Sequence, residues 1–272
     1  MFKCTSFFIS FIYKMQHSEI HISEQVNTNP ADLDMLKFLV DDKLKDVELP
    51  FPNIASCLLF VGKSRSGKSS LITSLLTSPR LYSHAFHNVI ICIPQNSFQS
   101  MNPKTNPFLK LSEEKIYHDF DVDILTQILH QVQEYASENE NTLLIIDDMT
   151  SQLKDPSLLR LLLHSCNNRR HYRLSIWYST QVYNMVPLVC RKTVNYIILF
   201  KTTQKKEIES LWSEASFLTR DEFKSVLDYV FDAKYNFLVM DRDDNSYWKM
   251  FNKLIITGGD TNDTVSSSNP HT

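Results

Sequence analysis

Apolar residues along the chain gather into short dense runs separated by longer amphipathic stretches, and the alternation predicts strands and helices in turn. Cys57-Leu58-Leu59-Phe60-Val61, Asn88 to Ile93, Thr142 to Ile146, Leu174 to Tyr178 and Tyr196 to Phe200 are each strand-length and almost wholly apolar. Continuous runs of that kind are expected of strands buried on both faces, whereas a strand with one wet face alternates. Between them, Ser70 to Leu76 reads as a helix start, and Val122, Leu125, Leu129, Val132 and Ala136 recur at helical spacing. Asp155-Pro156 predicts another helix start, with a capping carboxylate and proline at the first position, running to about Cys166. Lys205 to Ala215 and Arg220 to Val230 read as helices, and Asn236 to Met240 with Tyr247 to Met250 as the arms of a hairpin around Asp-Asp-Asn. Strands alternating with helices predict an α/β fold, a three-layer sandwich with a largely parallel central sheet.

The ends and one internal stretch escape this pattern. Gln16 to Asp46 is polar and acidic with a helix-like patch from Ala31 to Leu44, and Leu49-Pro50-Phe51-Pro52 stiffens the entry to the core. We expect a leader and arm over 1–49, partly disordered, with Met15 as an alternative start, then a core over 50–255 and a disordered Ser/Thr/Asn/Asp-rich tail over 256–272. Phe7 to Tyr13 is apolar but much shorter than a membrane span, so no membrane partner is expected. Residues 95–118 carry three asparagines and prolines at 103 and 107, which suits a surface excursion. With 272 residues, 43% hydrophobic, one main domain is expected. A net charge of −3 excludes a protein coated in positive charge for nucleic acid, so any DNA contact must be local or shared among subunits. Five scattered cysteines without a C-x-x-C pair read as reduced intracellular thiols.

Candidate chemistry sits where these runs end. Gly62-Lys63-Ser64-Arg65-Ser66-Gly67-Lys68-Ser69 follows a predicted strand, precedes a predicted helix that continues with Ser70, and fits G-x-x-x-x-G-K-[ST] at every fixed position. Two of the chain's four glycines, Gly62 and Gly67, occupy the positions where the backbone must curl around an anion. Backbone N–H groups and the helix start would face the β- and γ-phosphates, Lys68 adds a charge, and the Ser69 hydroxyl can ligate Mg²⁺. Leu143 to Ile146 runs into Asp147-Asp148, a pattern in which the first carboxylate joins the metal shell and the second orients or deprotonates the attacking water. The next strand ends Tyr178-Ser179-Thr180-Gln181, placing an amide at the edge where open α/β sheets bind ligands. Arg169, Arg170, His171 and Arg173 precede that strand; they read either as a solvated basic helix end or as an arginine aimed at a neighbour's γ-phosphate or at DNA.

The order of Gly62–Ser69, Leu143–Asp148, and Arg170 eleven residues before Gln181 resembles the FtsK–HerA superfamily of DNA-pumping ATPases. The Asp-Asp pair, the compact core and Val186-Pro187-Leu188-Val189-Cys190-Arg191 look most like the genome-packaging ATPases of poxviruses, other large eukaryotic DNA viruses, virophages and Polinton-type elements. That resemblance implies a RecA/FtsK-like P-loop fold and a homo-oligomeric ring, a hexamer. The ring would hydrolyse ATP with Mg²⁺ between subunits and move double-stranded DNA, with capsid or DNA-terminus proteins as partners, in the host cytoplasm or nucleus or on virions. It also implies Arg170 as the trans-acting finger, with Arg191 as second choice. Bacterial translocases of the superfamily carry glutamate where Asp148 stands. The residues alone leave open another P-loop ATPase such as a helicase or remodeller, a nucleotide-binding scaffold without turnover, and a small-molecule kinase.

Overall fold

A computed structural model describes residues 10–11, 21–27, 47, 50–101, 104 and 106–257. The helix-like patch at 31–44 and the tail from 258 lie outside the described residues, as does most of the leader.

The strands are β1 (Ser10–Phe11), β2 (His21–Gln25), β3 (Cys57–Val61), β4 (Asn88–Cys92), β5 (Ile116–Tyr117), β6 (Thr142–Asp147), β7 (Leu174–Thr180), β8 (Tyr196–Phe200), β9 (Phe237–Asp241), β10 (Ser246–Lys249) and β11 (Asn252–Thr257). They form a single sheet in the order β1-β2-β11-β10-β9-β8-β3-β7-β6-β4-β5. From β8 to β5 every pairing is parallel. From β8 through β9, β10, β11 and β2 to β1 every pairing is antiparallel. The apolar runs are the parallel strands: β3 and β8 are buried at every position, as is β7. Period-2 alternation divides each between two cores, so that Cys57, Leu59 and Val61 face one layer and Leu58 and Phe60 the other.

Helices cover both faces. On one side lie α1 (Lys68–Thr77) and the short α2 (Gln95–Gln99), with Leu71, Ile72 and Leu75 of α1 buried against Phe60, Ile145 and Trp177. On the other lie α3 (Val122–Ser137), α4 (Pro156–Asn168), α5 (Leu188–Thr193), α6 (Lys205–Ala215) and α7 (Arg220–Val230), which bury Leu125, Leu162, Cys190, Leu211 and Phe223. Asp155 caps α4 by accepting from the N–H groups of Ser157 and Leu158, with Pro156 at the first position. Thr219 and Glu222 form a reciprocal capping box on α7. The three-layer α/β sandwich with its mostly parallel sheet is thus as the run pattern predicts, and the β9–β10 hairpin lies where expected.

β2, in the segment read as an arm, is a sheet strand paired along its length with β11, which itself runs to Thr257. Ile22 supplies the buried contact, while Glu24 accepts from Tyr229 and Asn252.

Candidate active site

The parallel strands β3, β6 and β7 all end at one edge of the sheet, and the residues that follow them line a cavity of about 530 Å³. The chain leaves β3 at Gly62, whose N–H donates to the carbonyl of Thr180 at 3.1 Å. A Cβ at Gly62 would come within 2.7 Å of Phe200 Cβ and of Ser66 Oγ, so close packing against β8 leaves room only for glycine. Gly67 has φ +108°, a left-handed conformation that side chains disfavour, and from it α1 begins at Lys68. Arg65 also turns left-handed, at φ 62°. The loop is therefore curled before any ligand arrives.

Lys68 is buried, and its ammonium donates to the carbonyls of Gly62 at 2.5 Å and Lys63 at 3.3 Å. Burial pulls its pKa down while Asp148 and Asp147 pull it back up. Asp147 at the tip of β6 stands opposite Ser179 of β7. Burial pushes its carboxyl above the ordinary carboxylate range; the Ser179 hydroxyl works against that, the Asp148 charge adds to it, and Lys68 works against it. Asp148 turns away from the strand with φ 53°, its N–H held by the Ser179 carbonyl at 2.9 Å, and its Oδ2 accepts from Gln181 Nε2 at 3.3 Å. Asp tolerates the left-handed region far better than Glu, so the local backbone accounts for the shorter acid here.

The structure thus brings Ser64, Arg65, Ser66, Gly67, Lys68, Ser69, Ser70, Asp147, Asp148 and Gln181 to one cavity. Ser66 Oγ is buried without a hydrogen-bond partner among the described residues, a donor available to a phosphate. Ser69 hydroxyl and Asp147 carboxylate are hard oxygen donors facing the same space, a set that suits Mg²⁺ when phosphate oxygens and water complete its shell. Among the described residues no three His, Cys, Asp or Glu side chains could hold a metal by themselves.

Sequence reasoning missed three parts of the site. The far wall of the cavity is built by Ser97, Ser100, Met101 and Asn106 from the stretch read as a surface excursion. A buried carboxylate, Glu207 of α6, accepts from the Tyr183 N–H at 2.6 Å and from the Thr202 hydroxyl, tying the segment after Gln181 to the segment after β8 on either side of the phosphate loop. Phe200 closes against Gly62 and Gly67. None of these follows a motif, because each contact joins residues distant in sequence.

The arginines separate. Arg170 is exposed at the opposite end of β7 from Gln181, and seven strand residues put about 20 Å between those ends. It makes no side-chain hydrogen bond or ion pair among the described residues. Arg169 is consumed by the carbonyls of Ala55 and Cys166 and by Asn195, and Arg173 by Asn141. Arg191, the second choice for a trans-acting arginine, is held within its own chain. It is buried, its Nε and Nη2 both bond Glu214 at 2.8 Å, its Nη1 bonds the Val186 carbonyl at 2.9 Å, and it lies over the Tyr183 ring. All three of its nitrogens are thus bonded within the chain.

Comparison with known proteins places this geometry. The family described as Poxvirus A32 protein matches residues 53–244, more than two thirds of the chain. Among solved structures the chain is similar to B204, the DNA-packaging ATPase from Sulfolobus Turreted Icosahedral Virus, with 18% identity and a TM-score of 0.53 over 76% of this chain and 98% of that one. The genome packaging NTPase B204 from Sulfolobus turreted icosahedral virus 2 in complex with ATP-gammaS gives 0.52 at 18% identity over 76% and 97%. The same protein in complex with sulfate gives 0.51 at 22% identity over the same shares. At these identities the likeness is one of fold. A search of curated proteins by sequence finds no match.

Proposed function

The chain belongs to the Poxvirus A32 protein family, and from that membership we propose that it is an ATP-hydrolysing motor that drives double-stranded viral DNA into a capsid, acting as a ring of identical subunits. The observation that carries this reading is the convergence of Lys68, held inside its loop, with Asp147, Asp148 and Gln181 at one sheet edge. In hydrolysis the loop N–H groups and Lys68 bind the β- and γ-phosphates and draw charge from them. Asp148 takes the proton of the attacking water, and its bond from Gln181 fixes the carboxylate so that the amide senses whether a γ-phosphate is present. Bound Mg²⁺, held by Ser69 and Asp147, would supply charge neutralisation at the phosphate oxygens.

Arg170 supports the ring. It is too far from its own site to act there, it is exposed, and no described residue engages its side chain, which leaves it available to a neighbouring subunit's γ-phosphate. DNA and capsid proteins are the partners this function requires, and no helix among the described residues is long and apolar enough to cross a membrane. The test is ATP turnover of the purified chain with and without double-stranded DNA, alongside its mass in solution. DNA stimulation in a closed oligomer supports the reading. Turnover in a monomer indifferent to DNA would instead favour a self-sufficient NTPase.

A further inference from the structure

We propose that Tyr235 is the platform on which the base of the bound nucleoside triphosphate stacks. This rests on the nucleotide-site reading above and adds to it the half of the ligand that no phosphate-loop residue recognises.

Topology fixes the direction. The γ-phosphate end faces Asp147, Asp148 and Gln181, which leave β6 and β7 on one side of β3. A nucleoside end directed away from them lies on β3's other side, beside β8, which pairs in turn with β9. β9 is antiparallel to β8 and pairs Phe237 with Phe200, so the segment just before β9 reaches the same sheet edge as the phosphate loop. Tyr235 sits in that segment. Its Cδ1 lies 3.5 Å from where a Cβ on Gly67 would be, which puts its ring beside the last turn of the loop.

Three features mark Tyr235 as more than a surface aromatic. Its side chain is 55% exposed, so the ring is available to a ligand. Its φ is 69°, a conformation costly for a bulky aromatic, and an outlier of this kind beside a binding loop is the sort that function maintains. The segment is also held in place: Lys201 donates to the Phe231 carbonyl at 3.2 Å, and Asn236 donates to the Val230 carbonyl at 3.1 Å and to Asp232 at 2.7 Å. The Lys234 ammonium lies over one face of the ring, 4.6 Å from its centroid, so a base would stack on the other face. Stacking on an aromatic face tolerates every base, so the site should take nucleoside triphosphates with little preference among bases.

The experiment measures equilibrium binding of ATP and of inorganic tripolyphosphate, both with Mg²⁺, to the full chain and to Tyr235→Ala and Tyr235→Phe. Tyr235→Ala should weaken ATP about 10-fold and leave tripolyphosphate unmoved, whereas Tyr235→Phe should stay within about 2-fold for both. In turnover the same loss should fall on KM and spare kcat. Equal weakening of both ligands would mean that Tyr235 merely shapes the loop, and no weakening of ATP would mean that the base lies elsewhere; either overturns the proposal. Wild-type chain that binds neither ligand would sink the nucleotide-site reading itself, a result distinct from those two.

Discussion

Arg170 and Arg191 differ so much in surroundings that replacing each by alanine should produce opposite results. Arg191→Ala removes two 2.8 Å bonds to Glu214 and one to the Val186 carbonyl, from a pair whose side chains are 9% and 25% exposed. Breaking a buried pair costs about 3–5 kcal/mol; because water reaches the quarter-exposed Glu214, the lower end applies, about 3 kcal/mol. At about 2–4 °C per kcal/mol for a domain of this size, Tm should fall by about 6–12 °C. Arg170→Ala deletes an exposed side chain and should change stability by less than about 0.5 kcal/mol, yet cut turnover by about 10³-fold or more. The assay is a thermal melt of each variant, then ATP turnover of Arg170→Ala mixed with Lys68→Ala. In a mixed ring the intact loop of the first can face the intact Arg170 of the second, so activity should return although each alone is dead. No recovery, with mixed assembly confirmed by mass, would refute the trans role. A large Tm loss in Arg170→Ala with none in Arg191→Ala would refute the structural reasoning.

Other outcomes follow from the site. Lys68→Ala should abolish hydrolysis and weaken nucleotide binding sharply, read by turnover and by ATP titration, since the phosphates then lose the buried lysine at the motif's fixed position. Asp148→Asn should bind Mg·ATP and stall, whereas Asp147→Ala should lose the metal-dependent step; loss of Mg²⁺ affinity alone in both would make Asp148 a ligand and not the base. Gly62→Ala should lose nucleotide binding while keeping the helical signal of the fold by circular dichroism, because the new methyl meets Phe200 Cβ at 2.7 Å. Asp147→Asn should raise Tm of the nucleotide-free protein at pH 7. The carboxyl's folded pKa is raised, so its charged form costs stability above that pKa, and the gain should fade as pH falls through it toward the unfolded value.

What could be read from the sequence depended on how local each determinant is. β3, β7 and β8 were legible because strands buried on both faces are apolar at every position, and α4 and α7 because their caps lie next to them in sequence. The phosphate loop and the Asp147-Asp148 pair were legible for the same reason. β2 was not, since a strand reading His-Ile-Ser-Glu-Gln has one buried apolar residue, Ile22, and no run to betray it. The roles of Arg170 and Arg191 could not be told apart without Glu214, which is 23 residues from Arg191 and meets it only through the packing of α5 near α6. Glu207 was silent too: a glutamate in the first turn of a helix is ordinarily a solvated complement to the helix dipole, and only the fold shows it buried.

The pairing of β2 with β11 bears on how the protein can be cut and how it folds. The stretch that matches the family, 53–244, contains neither strand, and an expression fragment trimmed to it would end at β9 with half a hairpin. A fragment from residue 50 onward would keep β11 but strip its partner, baring a row of unpaired N–H and C=O groups next to Ile255, already 38% exposed. Such an edge invites a second chain to add itself, which in a purified sample means aggregates that mimic oligomers of functional origin. During synthesis β2 emerges first and must wait for β11, more than 220 residues later, so the chain closes its sheet last and most slowly there. Fragments that begin before residue 10 and end after 257 keep these pairings whole.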